Sequence, residues 1–199
     1  MERGRPRAFD KQAALDAALA VFWKNGYQGA SLSDLTSAMG INKPSLYTAF
    51  GDKEKLYLQA LARYGEVQAA RHGAALAAGA GPREALAGFL GSVADMLTEP
   101  TLPGGCLVVN CATDRGSRGM PAAVAEALAG AVRESVALLE ARLRLDREAG
   151  RLAPDRDPAT LARFYTTVMT GMGVMARAGA SRAELETVVR EALAVLKDI

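Results

Sequence analysis

The segment 31–57, SLSDLTSAMGINKPSLYTAFGDKEKLY, decides the fold of this chain. Its opening Ser31, followed by Asp34, is typical of a helix N-terminus, and Gly40 suits the left-handed conformation that ends a helix. Asn42 is then a good N-cap for another helix. The segment therefore predicts two short helices joined by a tight turn.

A third helix is predicted to start directly after this pair. Gly51 breaks the chain, and Asp52 can cap a helix that carries Lys53 and Lys55 in its first turn. Cations there oppose the helix dipole, because the N-terminal end of a helix already carries partial positive charge. Their presence indicates an external anion at this place.

The second helix of the pair offers polar groups along its outward face. Pro44 falls in its first turn, where the missing N–H has no partner inside the helix. Ile41 and Leu46 are placed to anchor this helix to the first. The outward face then carries groups that suit phosphates and base edges, namely Lys43, Ser45, Tyr47 and Thr48. This layout predicts a helix-turn-helix that reads DNA.

The segment from about Asp10 to Lys24, upstream of the pair, predicts a covering helix. Apolar residues recur there at helical spacing, and Asn25 and Gly26 follow as a stop signal. The recurring residues are Ala14, Leu15, Ala18, Val21 and Phe22. With this helix, the pair becomes a three-helix domain.

A basic arm precedes the covering helix, with Arg3, Arg5 and Arg7 separated by a glycine and a proline that discourage helix. The arm resembles the core of the minor-groove segments called AT-hooks. Arginines on a thin extended arm can enter a narrow A·T-rich minor groove while a neighbouring helix occupies the major groove. The alternative is a solvated tail. Beside a helix-turn-helix, we favour the DNA-binding interpretation.

Residues from about Gln12 to Leu58 resemble the DNA-binding domain of the TetR/AcrR family of bacterial transcriptional regulators. The resemblance rests on the ordered spacing of Ala18, Phe22, Gly26, Tyr27, Ser31, Leu35, Met39, Gly40, Ile41, Leu46, Tyr47, Phe50, Lys53 and Leu56. Thr36 and Pro44 depart from the residues that the family most often has. Neither departure should break a helix.

The resemblance implies two kinds of DNA contact. It implies phosphate contacts from Ser31, Tyr47 and Lys53. Base-edge contacts fall to the start of the recognition helix, at Lys43, Pro44, Ser45 and Thr48. Pro44 can contact a thymine methyl or the sugar-phosphate backbone there, which bears on the operator sequence.

Composition and charge agree with a chain of two parts. Half of the 199 residues are hydrophobic, which is enough to bury a sizeable core. Net charge is only +2, but up to Arg63 nine Lys or Arg stand against six Asp or Glu. We predict an all-α fold with a helix-turn-helix DNA-binding domain and basic arm in residues 1–58. A larger helical ligand-binding and dimerisation domain follows in residues 59–199.

The residue inventory predicts a protein that is neither an enzyme nor a membrane protein. Charges interrupt every apolar run, so no membrane span or signal peptide is predicted and the cytoplasm is the expected location. With one histidine, His72, and two cysteines, a zinc site or a hydrolytic triad has too few parts. The stretch Gly171–Gly173 with Ala176 matches a dinucleotide fingerprint only superficially, because it lies inside a helical pattern. No cofactor and no metal are expected.

An alternative from another class is a helical ligand-binding or enzymatic protein that does not bind DNA. The two interpretations differ in one measurable property. A DNA-binding protein shows an affinity for a specific duplex that falls steeply with added salt.

The alanine-rich remainder of the chain predicts further helices. One long helix runs from Pro121 to Gly150. The last two helices, Ala159–Ala178 and Arg182–Leu196, carry broad apolar stripes that would pair across a two-fold axis as a four-helix bundle. We expect a homodimer through these two helices. The alternative is that the stripes pack on their own protomer.

The segment from Pro103 to Cys111 contains both cysteines. Its glycines open a short apolar helix in which Cys106 and Cys111 lie too far apart for an unstrained disulfide. One interpretation is that both are small buried residues in a reducing cytoplasm. The other is that Cys106, next to a helix N-terminus that favours thiolate, senses electrophiles or oxidants.

The resemblance also implies a pocket for an inducer in the larger domain. Candidate lining residues are Phe89, Val93, Met96, Cys106, Asn110, Phe164, Tyr165, Met169 and Met172. For any single one of them the alternative is ordinary core packing. A small apolar or reactive molecule would favour a dimer whose recognition helices no longer fit a palindromic operator, so that the ligand releases a repressor from DNA.

Overall fold

The computed structural model describes residues 9–112 and 119–196, in which the chain forms nine α-helices and no strand. In chain order the helices are α1 Lys11–Gly29, α2 Leu32–Met39, α3 Lys43–Phe50, α4 Lys53–Ala78, α5 Pro82–Leu97, α6 Leu107–Ala112, α7 Ala122–Glu148, α8 Pro158–Arg177 and α9 Arg182–Leu193. The predicted all-α fold is confirmed. Within these ranges no helix is long and apolar enough to cross a membrane.

The caps predicted for α2 and α3 form as the sequence indicated. The Ser31 hydroxyl accepts the Asp34 backbone N–H, and the Asp34 carboxylate accepts the Ser31 backbone N–H, which together make a capping box. Gly40 ends α2 in the left-handed conformation, with φ of 64°. The Asn42 side chain then accepts the backbone N–H of Ser45 at 2.9 Å. Local chemistry thus fixes the turn between the two helices.

The stop predicted at Asn25 and Gly26 is present as a break in the helical backbone. Helical geometry is interrupted at Gly26, and a short second piece of α1 continues across this kink to Gly29. Gly26 adopts φ of 72° and ψ of 177°, a left-handed backbone that costs glycine little. The kink redirects the chain and places the next residue, Tyr27, against the core with 8% of its surface exposed.

The long helix α4 connects the two parts of the protein. Its N-terminal half packs on α1, where Leu56 and Tyr57 are fully buried, and α4 also packs along α5. The predicted domain boundary at residue 58 therefore falls inside a continuous helix. Any movement of α4 is shared by both parts.

The two C-terminal helices use their apolar stripes differently. On α9, Leu185 and Val189 are buried and the helix packs on α5 of its own chain. The Tyr165 hydroxyl of α8 also points inward and donates to the Ala192 carbonyl of α9 at 3.2 Å. On α8, in contrast, Phe164 and Val174 remain exposed. Of these two helices, α8 therefore leaves more apolar surface exposed. Helix α9 ends at Leu193, before the predicted Leu196.

Gly173 of α8 packs against α6 and the segment before it. A Cβ added to Gly173 would lie 3.4 Å from a side-chain methyl of Val109 and 3.5 Å from Cys106 Cβ. Gly173 belongs to the stretch that superficially resembled a dinucleotide fingerprint. Its role here is helix packing, as the rejection of that fingerprint implied.

His72 of α4 is buried in the contact with α5. Its Nδ1 lies 2.7 Å from the Ser92 hydroxyl, and Ser92 in turn donates to the Phe89 carbonyl at 2.8 Å. The His72 Nδ1 must therefore be the donor in its bond to Ser92. Burial, and to a smaller extent Arg71, lowers the pKa of His72 from 6.5 to about 4.

We expect the free energy of unfolding to fall by about 3 kcal/mol as the pH drops from about 6.5 to about 4. The unfolded chain takes up a proton at His72 in this window, whereas the folded chain does not. Urea unfolding at several pH values measures the effect. A His72→Gln protein, which lacks this titration, should lose this component of the pH dependence. Equal pH dependence in the two proteins would contradict the prediction.

Candidate nucleic-acid interface

The recognition helix α3 is anchored by apolar residues and exposes polar ones. Leu46 is fully buried and Phe50 is 3% exposed, which fixes the inner face of α3 on the rest of the domain. Tyr47 is 49% exposed, an unusual position for so large an aromatic side chain. The predicted contact residues Lys43, Pro44 and Thr48 are also exposed, and Ser45 is half-buried.

The polar groups of α3 differ in how free they are to reach DNA. The Thr48 hydroxyl donates to the Pro44 carbonyl at 2.9 Å, so its proton is used within the helix. Lys43 and Tyr47 extend from the exposed face with an ammonium and a phenol. These two side chains are therefore the strongest candidates for contacts with base edges and phosphates.

Ser31 is already engaged in the cap of α2. Its hydroxyl donates to the Asp34 carboxylate at 2.6 Å. This bond and the backbone N–H of Ser31 hold the pKa of Asp34 below its ordinary value. To donate to a phosphate, the Ser31 hydroxyl must therefore give up its hydrogen bond to the Asp34 carboxylate.

Lys53, the predicted phosphate contact at the start of α4, lies over an aromatic ring. Its Nζ is 4.7 Å from the centre of the Tyr27 ring. Partial burial lowers the pKa of Lys53 from its ordinary value of 10.5. Lys55, two residues further along the chain, lies 3.9 Å from the Asp52 carboxylate. The two lysines of this turn therefore have different surroundings.

The basic arm lies outside the described residues. The predicted minor-groove contacts of Arg3, Arg5 and Arg7 fall within residues 1–8. They stay a prediction from the sequence.

The nine predicted pocket residues fall into separate surroundings. Those fully or nearly fully buried are Phe89, Val93, Met96, Tyr165 and Met172. Cys106, Asn110 and Met169 are half-buried. Phe164 is 37% exposed on the outer face of α8, and the Tyr165 hydroxyl is turned to α9. These two residues are the least suited to a common pocket with the others.

An open cleft of about 430 Å³ lies between the loop after α5 and the turn before α9. Its walls include Thr98, Glu99, Pro103 and Arg182, and none of the nine predicted pocket residues lines it. A ligand pocket for an apolar molecule is normally more enclosed and less charged. We therefore do not assign the cleft to the inducer.

A cluster of contacts joins the DNA-binding helices to the segment before α6, and we call it the junction: Trp23, Tyr64, Gly105 and Cys106. The Trp23 indole N–H donates to the Gly105 carbonyl at 3.1 Å, and this bond is buried. The Tyr64 hydroxyl donates to Cys106 Sγ at 3.3 Å. The Trp23 and Tyr64 rings meet edge to face with centres 4.9 Å apart.

The junction is closely packed and poorly solvated. Burial, with Cys106 nearby, raises the pKa of Tyr64 well above its ordinary value, so the phenol keeps the proton that it donates. Asn110 adds a bond from its amide to the Trp23 carbonyl at 3.4 Å. Cys106 and Cys111 are not joined in a disulfide, and Cys111 is buried. The junction links α1 and α4 to the larger domain through specific bonds.

Sequence reasoning did not find the roles of Trp23 and Tyr27. Both lie near the end of α1, and both make contacts with residues distant in the chain. The available signal was that the only tryptophan has an N–H that needs a partner when buried. The partner, Gly105, is 82 residues away, which one sequence does not reveal.

The capped pair of short helices, with an exposed cation and phenol on the second, defines a helix-turn-helix DNA-binding protein. Residues 14–60 match the family described as "Bacterial regulatory proteins, tetR family". Residues 82–192 match the domain described as "Tetracyclin repressor-like, C-terminal domain". The chain belongs to the tetR family of bacterial regulatory proteins, as the resemblance predicted.

Similar proteins agree with this family over nearly the whole chain. The chain is 36% identical to the HTH-type transcriptional repressor ComR of Escherichia coli over 189 residues, which cover 92% of this chain and 87% of that protein. It is 43% identical to the HTH-type transcriptional repressor BdcR of Escherichia coli over 61 residues, or 31% of each chain.

A solved structure with high similarity contains DNA. It is a cysteine mutant of the TetR family transcriptional regulator CifR in complex with a 26-bp double-strand operator DNA. The identity is 41%, the match covers 98% of this chain and 100% of that chain, and the TM-score is 0.90. The present chain is accordingly a DNA-binding transcriptional repressor, and regulators of its family are dimers.

Proposed function

We propose that this repressor binds a palindromic operator as a homodimer, inserts one α3 into the major groove at each half-site, and leaves DNA when a small apolar or reactive molecule binds the larger domain. The observation that supports the DNA contacts is the exposed Lys43 and Tyr47 on an α3 whose inner face is fully anchored. Such a protein works in the cytoplasm, where bacterial DNA lies.

The outer face of α8 is our proposed dimer surface. Phe164, Val174 and Met175 are 37%, 52% and 42% exposed, and Gly171, which lies between them in the chain, is exposed as well. Large exposed apolar side chains on one helix face favour association, and a small residue allows two helices to approach closely. The four-helix bundle predicted from the sequence would thus be formed with α8 at its centre and α9 at its rim.

The test of operator binding is its salt dependence. A duplex is first selected by the protein from a randomised library, and its affinity is then measured at increasing salt. We expect a steep linear decrease of log affinity with log salt, because each phosphate contact releases a counterion and contributes a slope of about 0.9. Binding that favours no sequence, or that is independent of salt, would contradict the proposal.

Ligand release is proposed to act through the separation of the two recognition helices. Each α3 reads a half-site, and the two half-sites lie about one DNA turn, or a multiple of it, apart. Helix α4 carries Lys53 at the DNA end and packs on α5 of the larger domain. A coupling of about 1–3 kcal/mol between ligand and operator would lower DNA affinity about 5- to 150-fold.

A second candidate for the signal is covalent modification of Cys106. The observation in its favour is the junction, where the half-buried thiol accepts the Tyr64 hydroxyl and is the chain neighbour of Gly105, whose carbonyl accepts the Trp23 indole. A group added to the sulfur would compete for this packed space. It would thereby disturb contacts from both α1 and α4.

We expect alkylation of Cys106 with N-ethylmaleimide to lower operator affinity about 5- to 150-fold, the range of a typical allosteric coupling. Mass spectrometry establishes the extent and the site of modification. A Cys106→Ser protein, which keeps the buried Cys111, is the matched control and should retain its affinity after the same treatment. Full affinity in protein alkylated at Cys106 would exclude this candidate.

A further inference from the structure

The contact between Lys53 and Tyr27 carries an inference that deepens the proposed function and rests on it. We propose that Tyr27 is a positioning residue for DNA binding, because its ring face holds the Lys53 ammonium at the edge of the recognition helix, where an operator phosphate approaches. Tyr27 itself does not contact DNA in this arrangement. It acts through the lysine.

The position of Lys53 is unfavourable without compensation. Lys53 is the first residue of α4, where the positive end of the helix dipole repels a cation. Lys53 makes no ion pair among the described residues. The neighbouring Asp52 carboxylate instead accepts the Lys55 backbone N–H at 2.8 Å and lies 3.9 Å from the Lys55 ammonium. The Tyr27 ring face, at 4.7 Å, is the group that attracts the Lys53 ammonium.

The Tyr27 ring is itself rigidly held. It meets the Tyr57 ring edge to face with centres 5.2 Å apart, and it stacks on Phe22 with centres 6.4 Å apart. The kink at Gly26 turns Tyr27 into this cluster, where only 8% of its surface is exposed. The platform under the ammonium is therefore part of the core and keeps its place when DNA leaves.

A rigid platform makes a lysine a better phosphate ligand. A free lysine side chain has many rotamers, and fixing them on binding opposes association. A ring that already fixes the ammonium removes most of this cost, while a cation–π contact leaves the N–H donors on the outer side free for an anion. Each protomer of a dimer supplies one such lysine, so the contribution to the free energy of operator binding is made at both half-sites.

The test is a double-mutant cycle on affinity for the duplex selected by the wild-type protein. Tyr27→Leu keeps an apolar side chain but removes the ring face, and it should weaken binding about 5- to 30-fold. Tyr27→Phe keeps the ring and should change the affinity less than about twofold. Lys53→Gln should weaken binding and lower the salt slope by about 2 for the dimer.

The decisive comparison is made in the Lys53→Gln background. If Tyr27 acts through Lys53, adding Tyr27→Leu there causes no further loss of affinity. An equal further loss would mean that Tyr27 supports only the fold, and a loss in Tyr27→Phe as large as in Tyr27→Leu would mean that the hydroxyl matters. Either result overturns the inference. Wild-type protein that selects no duplex overturns the proposed function instead, and the inference with it.

A measurement on the wild-type protein keeps the inference testable if Tyr27→Leu does not fold. In a lysine-labelled sample, the Lys53 Hε protons should resonate upfield of those of Lys55, because only Lys53 lies over a ring face. Lys55 is the matched control on the same turn. Equal shifts for the two lysines would overturn the positioning of Lys53 by the ring.

Discussion

Replacing Asp146 with alanine is expected to lower the free energy of unfolding by about 3–5 kcal/mol, because it leaves a buried cation without its carboxylate. Asp146 is fully buried on α7, and its Oδ2 lies 2.9 Å from Arg142 Nε. Its Oδ1 lies 2.8 Å from the Arg151 guanidinium. The loss is a large share of the roughly 5–15 kcal/mol that typically stabilise a folded domain.

Arg142 also ties α7 to the end of α4. Its Nη2 donates to the Gly79 carbonyl at 2.8 Å, and its Nη1 donates to the Leu76 carbonyl. Carbonyls at a helix C-terminus lack partners within the helix. One guanidinium therefore satisfies the end of α4 and pairs with Asp146, so the loss of Asp146 should loosen this end of the larger domain.

Arg144→Ala is the matched control for this prediction. Arg144 lies on the same helix and is ion-paired with Glu140 at 2.5 Å, but its side chain is 63% exposed. Exposed pairs of this kind contribute little to stability. Urea unfolding of both proteins, with circular dichroism as the signal, should separate them clearly. Similar unfolding curves for Asp146→Ala and Arg144→Ala would show that the buried pair is not important.

Replacing Lys43 with alanine is expected to weaken operator binding by about 30-fold to 10⁴-fold. A side chain that reads a base edge contributes about 1–3 kcal/mol, and a dimer makes the contact at two half-sites. Affinity for unrelated duplexes should fall much less, since those complexes rest on phosphate contacts. The measurement is the ratio of affinities for the selected duplex and a scrambled one.

Tyr47→Phe separates base reading from phosphate binding on the same helix. Removal of the phenolic hydroxyl should weaken binding to both duplexes by similar factors, because phosphate contacts carry no sequence information. Arg133→Ala, an exposed residue of α7 paired with Glu126 at 2.5 Å, controls for the loss of a positive charge far from α3. If Lys43→Ala leaves the ratio of affinities for the selected and scrambled duplexes unchanged, Lys43 contacts the DNA backbone and does not read a base edge.

The sequence was sufficient for the local features of the DNA-binding domain. The capping box at Ser31, the left-handed Gly40 and the Asn42 cap each depend on residues within a few positions of one another. Such contacts form whenever the helix forms, so their residue types predict them. Gly26 follows the same rule, because its non-helical backbone interrupts α1 where the sequence predicted a stop.

The partners of each apolar face were decided by the tertiary structure. The stripe on α9 was predicted as part of the dimer surface, but in the structure it packs on α5 of its own chain. Periodicity shows that a face is apolar and does not state which chain covers it. In the same way, the sequence indicated Lys53 as an anion contact but did not reveal the Tyr27 ring beneath it. The sequence also did not predict the hydrogen bond from the Trp23 indole to the Gly105 carbonyl.

By itself, the sequence determined the helices of the DNA-binding domain, the exposed face of α3 and the family, because these follow from caps, turn residues and spacing over short stretches. Only the tertiary structure decided what holds Lys53, how the junction joins α1 and α4 to the segment before α6, and which apolar face remains open on α8. The physical reason is that such contacts join residues far apart in the chain, and their free energy depends on the packing of whole helices.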